Sequence, residues 1–391
     1  MGNPFTSHTL ECFLTCPRGL EEITSQDIFP HCLNAVPESG GAAFTGDLKT
    51  LYNINLYSRT GMYALVKLCD FTAQNQKDLY YQIADYPWYE WINHDDTFSI
   101  RSRIFSNYFP DPNFVTLKVK DAIVDRIRQK TKRRPDVDKD NPRYSMFVFI
   151  HGEKVSVFLN SSGLSLSKRG YRQKIHKAAI NEALGAGLIL LSGWEPSKPL
   201  YDPMCGSGTL PIEAAMIGRN IPAGNYRRGY AFKGWKNFDP RLWNTVVGES
   251  REKINNQKLH IYGSDNIGAN IDLAKRNARQ ILLHTHIQFT KKEFSDFKPD
   301  IPCGTIIMNP PYGERLGNET ELELLYQLIG SVLKENCADS DAFIFSGNRE
   351  LTKMIGLKSR RSHILNNGKI ECRLLKKGLV LLYLLIYDNQ Y

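Results

Sequence analysis

From residue 163 onward the chain alternates short apolar runs with amphipathic ones, and this alternation restricts the possible folds more than any other feature. The runs "KPLYD", "KLHIYGSD", "THIQFTKKE", "GTIIMNPPY" and "DAFIFSGN" have strand length and β-branched or aromatic content. Between them "MCGSGTLPIEAAMIG", "NIGANIDLAKRNARQIL" and "TELELLYQLIGSVLKE" carry helical spacing, and "HKAAINEALGAGLILLSGW" ahead of them reads as a small-residue helix ending near Gly193. Strands separated by helices predict a doubly wound, mostly parallel sheet. The tail "KIECRLLKKGLVLLYLLIY" reads as two strands around a "KKG" turn that add an antiparallel strand to it.

The first 162 residues have a different grammar. "HTLECFLTC", the helix from Pro17, "GGAAFTG" and the helix "DLKTLYNINLYSRT" suggest a small α+β, ferredoxin-like unit over 1–60. A second α+β unit over 61–162 contains "YALVKLCDF", "TFSIRSRIF", the long helix "VTLKVKDAIVDRIRQKTKRR" and the hairpin "YSMFVFIHGEKVSVFLN". A chain of 391 residues divides naturally in this way, with 163–391 as the third unit.

Charge is unevenly spread. Residues 1–162 hold 18 Lys+Arg against 19 Asp+Glu, and residues 163–391 hold 32 against 22, an excess that favours a polyanionic partner. The eight cysteines show no CxxC pair and no zinc spacing, which predicts a reducing, cytoplasmic setting and no metal. "MGNPFT" formally fits a myristoylation pattern, a match expected by chance, and no signal-peptide core follows it. The apolar runs "LGAGLILL" and "GLVLLYLLIY" are too short to span a bilayer.

Chemistry concentrates at the ends of three strands. In "YDPMCGSGT" a GxG lies between strand and helix, where a doubly wound fold receives its ligand. The dinucleotide pattern is broken, with Pro211 at the third glycine's place and the next strand-closing acid at Asp265. Asp202 suits an ammonium group and Asp265 a ribose, the two handles of S-adenosylmethionine. At the third strand end, Asn309 and the Pro310 carbonyl offer two acceptors in a stiff loop, since neither Pro310 nor Pro311 has an N–H. Two such acceptors can hold both hydrogens of a nucleobase's exocyclic amine, whether of guanine or adenine. Tyr312 offers a face on which an extruded base can stack.

The motifs "DPMCGSGTLPIEAA", "MNPPYGERLG", "KRGYR" and "IECRLL", with "TCPRGLEE" and "LKVKDAIVDRIR" earlier, resemble those of bacterial large-subunit ribosomal RNA guanine-N2 methyltransferases that carry a THUMP domain. The resemblance covers almost the whole chain. It implies a ferredoxin-like unit, a THUMP domain over 61–162 and a Rossmann-like class I methyltransferase over 163–391, acting on the N2 amine of a guanine in 23S rRNA. The expected cofactor contacts are Asp202, Pro203, Met204, Cys205, Gly206, Gly208, Thr209, Asp265, Asn266 and Glu293, with Asp296 as a rival to Glu293. The expected target-amine loop is Asn309, Pro310, Pro311 and Tyr312. The chain departs from relatives in reading "AAINE", with Ala179 and Asn181, where "APLKE" is usual. Alternative substrates are a tRNA guanine and a nucleic-acid adenine at N6, and the contrasting class is an RNA-binding protein with a vestigial methyltransferase fold.

For RNA contact the sequence offers Lys132, Arg133 and Arg134 at the end of the long helix, where residues 101–134 hold ten Lys+Arg against three Asp+Glu. A solvated face with cations at the helix C-terminus explains that run equally well. Arg169 and Arg172 of "KRGYR" and Arg227 and Arg228 of the insertion "GRNIPAGNYRRGYAFKGWKNFDPRLW" complete the expected set. The aromatics of that insertion could stack bases or simply pack on the sheet.

Overall fold

The computed structural model describes Thr6 and residues 8–172, 180–312 and 319–379. The first stretch forms β1 (Leu10–Thr15), α1 (Glu21–Ile28), β2 (Asn34–Glu38), β3 (Gly41–Gly46) and α2 (Leu48–Tyr57). Next come β4 (Tyr63–Thr72), α3 (Gln76–Asp85), β5 (Thr97–Phe105), α4 (Pro112–Thr131), β6 (Asp136–Val137), β7 (Tyr144–His151) and β8 (Lys154–Asn160). Local rules set the helix starts: Asp47, Asn75 and Asp111 each accept a backbone N–H of the first turn, and Pro112 opens α4. All eight strands belong to one sheet, in the order β2-β3-β1-β4-β8-β7-β5-β6. The sheet runs unbroken across residue 60, because β4 pairs with β1 on one side and β8 on the other.

The second half forms α5 (Glu182–Ser192), β9 (Leu200–Asp202), α6 (Thr209–Gly218), α7 (Pro240–Glu252), β10 (Ile261–Asp265), α8 (Gly268–Gln280) and β11 (Ile287–Lys291). It continues with β12 (Thr305–Met308), α9 (Glu319–Asn336), β13 (Asp341–Ser346), α10 (Arg349–Met354), β14 (Ser359–Asn367) and β15 (Ile370–Lys377). The strand order is β11-β10-β9-β12-β13-β15-β14, parallel from β11 to β13, with β15 antiparallel to β13. This is the doubly wound arrangement with an antiparallel final strand that the alternation implied. The order reverses at β9, so the C-terminal ends of β10, β9 and β12 stand side by side and open the crevice that such folds use for ligands.

The hairpin of the described residues joins β14 to β15 and turns at Gly368–Lys369, where Gly368 has a φ of 64°. Lys376 and Lys377 of "KKG" end β15, and the strand expected after that turn lies outside the described residues. The unrecognised partner is β14, "SRRSHILNN", an edge strand exposed over most of its length, which gave no apolar alternation to read. The apolar tail from residue 380 lies outside the described residues, as do Ala179, most of "MGNPFT" and "GERLG".

The insertion after α6 fastens the two halves together. Tyr52 of α2 stacks on Phe232 at 4.5 Å and meets Trp243 edge-on at 5.7 Å, and Lys49 pairs with Glu249 at 2.8 Å. Phe232, Trp235, Trp243 and Val246 thereby join the core of the N-terminal half. Phe232, Phe238 and Trp243 are thus packing groups placed against α2, whereas Tyr226 packs on the core of the second half.

Candidate active site

Asp202 closes β9 and is buried. Its Oδ1 accepts the Met204 N–H at 3.2 Å. Burial, reinforced by the nearby Asp265 carboxylate, holds the Asp202 carboxyl well above the usual range, with the Met204 hydrogen bond opposing the shift. Among the described residues no salt bridge reaches it. A buried acid in this state is a receptor for a cation.

The loop that follows turns on two glycines in the left-handed region, Gly206 at φ 52° and Gly208 at φ 82°. A Cβ on Gly208 would stand 2.9 Å from the Ala274 Cβ and 3.1 Å from the Phe289 ring, so glycine there lets α6 start close against α8 and β11. A Cβ on Gly206 would meet nothing within 4 Å, which leaves that side of the loop open to a ligand.

Asp265, closing β10, has a second task that the sequence did not reveal. Its Oδ2 accepts the Gly206 N–H at 2.9 Å, and its Oδ1 accepts the Ile267 N–H at 2.9 Å and the Asn270 amide at 3.0 Å. Of the four or so lone-pair sites of a carboxylate, three are used, leaving room for about one ribose hydroxyl in this arrangement. Asn266 reaches across to Glu293 Oε2 at 3.3 Å, which ties Glu293 to the crevice, whereas the Asp296 carboxylate accepts from its neighbour Ser295. Pro203, Met204 and Cys205 span the gap from Asp202 to the glycines, and Thr209 opens α6.

Asn309 and Pro310 leave the end of β12 at the same rim. The Asn309 Oδ1 is buried and has no hydrogen-bond partner among the described residues. An unsatisfied buried acceptor costs about 1–3 kcal/mol, and at this rim a donor from a ligand in the crevice can relieve it. Tyr312 is held in a fixed pose. Its hydroxyl accepts from the Asn367 amide at 2.9 Å and the Cys372 thiol at 3.6 Å, and burial pushes its own ionisation upward. Only glycine at 347 leaves space for its ring, since a Cβ there would lie 2.9 Å away.

Three of the seven expected RNA contacts are instead internal braces. Arg169 is fully buried; it donates to the Leu166 and Arg59 carbonyls and stands 3.5 Å from Glu213, itself buried on α6. Arg172 donates to Thr209 Oγ1 and to the Ile180 carbonyl, both at 2.6 Å, and lies 3.4 Å from Glu182. Arg227 spends its guanidinium on the carbonyls of Ser162, Leu164, Ser165 and Lys168. The linker after β8 has many bare carbonyls and little regular structure, and arginine's five donors satisfy them. Lys132, Arg133, Arg134 and Arg228 are exposed.

Sequence reasoning missed Asn277, Tyr171 and Glu213. Asn277 donates to the Ser207 carbonyl at 3.0 Å from within α8, and Tyr171 donates to Glu213 at 3.1 Å. A buried amide in an amphipathic helix and an acid in the apolar "PIEAAM" helix were the available signals.

A buried acid with no cation, an open glycine loop and a hydrogen-bonded second acid suit S-adenosylmethionine, an amine-bearing nucleoside without phosphate. The comparisons agree. Residues 169–376 match the RMKL-like methyltransferase domain, 73–160 the THUMP domain and 11–62 the RlmL ferredoxin-like domain. A Synechocystis sp. protein provisionally named an RNA methyltransferase is 38% identical over 374 residues, 95% of this chain and 97% of that one. The ribosomal RNA large subunit methyltransferase K/L of Syntrophotalea carbinolica is 34% identical over 380 residues, and the match takes in 94% of this chain but 53% of that longer protein. The crystal structure of the methyltransferase SMU.472 complexed with SAH, the demethylated form of S-adenosylmethionine, superimposes with a TM-score of 0.87 at 28% identity, covering 95% of this chain and 98% of that one. With its three matched domains and its donor set at the crevice, the chain belongs to the RMKL-like methyltransferase family and uses S-adenosylmethionine.

Proposed function

We propose that this protein methylates the exocyclic N2 amine of a guanine in 23S ribosomal RNA, in the cytoplasm, with residues 1–162 docking the RNA and 163–391 carrying the chemistry. The observation that carries the reading is the orphaned Asn309 Oδ1 at the end of β12, beside the Pro310 carbonyl. The large-subunit specificity rests on the name of the K/L relative, of which this chain spans about half.

S-adenosylmethionine supplies an electrophilic methyl group on a positively charged sulfur. Asp202 receives its ammonium group, Asp265 and Glu293 its nucleoside. Asn309 and Pro310 accept the two hydrogens of the base's amine, which turns the nitrogen lone pair out of conjugation and toward the crevice. The Tyr312 ring, fixed by Asn367, limits where the base can lie. The chain needs no nucleophile of its own; holding the amine in line supplies much of the rate, and the departing proton passes to water.

Asn309→Ala should abolish turnover and leave cofactor affinity within a few fold. Equal loss of both would show that Asn309 holds the cofactor instead. Nucleosides from a strain lacking the gene should miss N2-methylguanosine in 23S rRNA. A loss confined to tRNA, or of N6-methyladenosine, would transfer the assignment to those substrates. Failure of the purified chain to pass a labelled methyl group to any nucleic acid would favour a vestigial fold.

A further inference from the structure

The eight-stranded sheet has a covered face and an open one. Cys12, Leu14, Val66, Met146, Val148 and Ile150 point into the core shared with the helices. The residues that alternate with them carry rings and cations. On β5 and β7, Arg101 stands opposite Phe147, Arg103 opposite Phe149 and Phe105 opposite His151. Phe158 on β8 is paired with Phe147.

These rings form three pairs across the face. Phe105 and Phe149 have centroids 6.0 Å apart, Tyr63 and Phe147 5.3 Å, and Phe13 and Phe158 6.4 Å. Phe105 is 52% exposed and Phe149 37%, and the two adjoin each other in one patch. The Arg103 guanidinium lies 5.3 Å over the Phe105 ring. Among the described residues neither Arg101 nor Arg103 forms a salt bridge; Glu11 and Asp70 of this face are engaged by Lys67 at 2.8 and 2.7 Å, while Asp136 on β6 lies level with Thr97 at the start of β5, and Glu38 lies on the far edge strand β2. The two arginines beside the exposed rings are thus not ion-paired.

We infer that this open face is a stacking platform for unpaired RNA nucleotides. Rings give bases a flat apolar surface, and the interleaved arginines meet the phosphates between them. A duplex is a poor occupant because its base faces are already stacked. The matched THUMP domain and the RNA methyltransferase relatives favour RNA over a protein here, and the oligomeric state tests the other occupant. The inference rests on the RNA reading above and adds where, and in what form, the RNA is held away from the crevice.

The test is fluorescence anisotropy with the full chain, using labelled single-stranded oligouridine and oligoadenosine and an RNA hairpin with a fully paired stem. Phe105→Ala and Phe149→Ala should each weaken single-strand binding about tenfold, and Arg103→Glu at least as much, with a smaller salt dependence. Phe149→Tyr should restore binding. All these side chains are at the surface, and unchanged melting temperature and cofactor affinity establish that the fold is intact. Unaltered single-strand affinity in the double phenylalanine variant would overturn the platform, as would equal losses for single strand and stem. A concentration-dependent dimer, seen by ultracentrifugation in the wild type and lost in the variants, would assign the face to a second copy and overturn it too. In each of these cases, wild-type methyl transfer to RNA would leave the proposed function standing; absence of that transfer removes the function itself.

Discussion

Replacing Arg169 by methionine separates a brace from an RNA contact. The guanidinium is buried against Glu213, whose Oε2 already has no hydrogen-bond partner among the described residues. Removing the cation strips that carboxylate of its paired guanidinium, leaving it the Tyr171 hydroxyl and the Arg59 charge, and deprives the Leu166 and Arg59 carbonyls of a donor. Breaking a buried pair on one side costs about 3–5 kcal/mol, within which the lost hydrogen bonds are included. For a cooperative unit of about 200 residues, a loss of about 4 kcal/mol lowers Tm by about 10 °C. Because Glu213 sits on α6, one turn beyond Thr209, cofactor affinity should fall as well. Calorimetric melting and titration with S-adenosylmethionine measure both. Substituting Glu213→Leu and Tyr171→Phe together with Arg169→Met removes the stranded charge and should recover at least half of the lost Tm. A Tm change under about 2 °C, accompanied by weaker RNA binding, would refute the brace and restore Arg169 as an RNA contact.

Three further outcomes follow from the crevice. Asp202 holds its proton to a higher pH in the native protein than in the unfolded chain, so ionising it costs stability as pH rises above the ordinary carboxylate range of about 3.9. Asp202→Asn should therefore raise Tm at neutral pH while weakening cofactor binding. Wild-type binding should release a proton where the acid is still partly protonated, a signal read by calorimetry in buffers of different ionisation enthalpy and absent from the variant. Gly208→Ala meets both a positive φ and a Cβ 2.9 Å from Ala274, which together cost about 2–4 kcal/mol, and should lower Tm and cofactor affinity in parallel. Glu293→Ala should weaken cofactor binding about tenfold and Asp296→Ala hardly at all, given the Asn266 link to Glu293; the reverse order would move the adenine contact to Asp296.

Much of the fold was legible because it follows from local rules. The alternation of apolar runs and the glycines after β9 each reflect constraints that act within a few residues. What escaped were elements whose reasons lie elsewhere in space. β2 contains Pro37, and β14 is polar along its edge, so neither carries an apolar alternation. Their pairing is decided by the neighbouring strand.

The site divides in the same way. Asp202, Gly206, Gly208, Asp265 and Asn309 were visible as candidates because each stands at a strand end or in a tight turn, positions that spacing reveals. The fate of the arginines was not visible. "KRGYR" and "YRRGY" look alike as basic motifs, and composition cannot distinguish a cation that faces solvent from one that satisfies carbonyls. Arg169 and Arg227 turned inward because the linker between the two halves crosses buried ground with few backbone partners, a demand that exists only once the halves have docked. The sequence alone determined the strand and helix pattern and the acids and amide at its ends, since covalent spacing is enough for that. The tertiary structure decided which charges remain free, because burial and partnership are properties of surfaces brought together from distant parts of the chain.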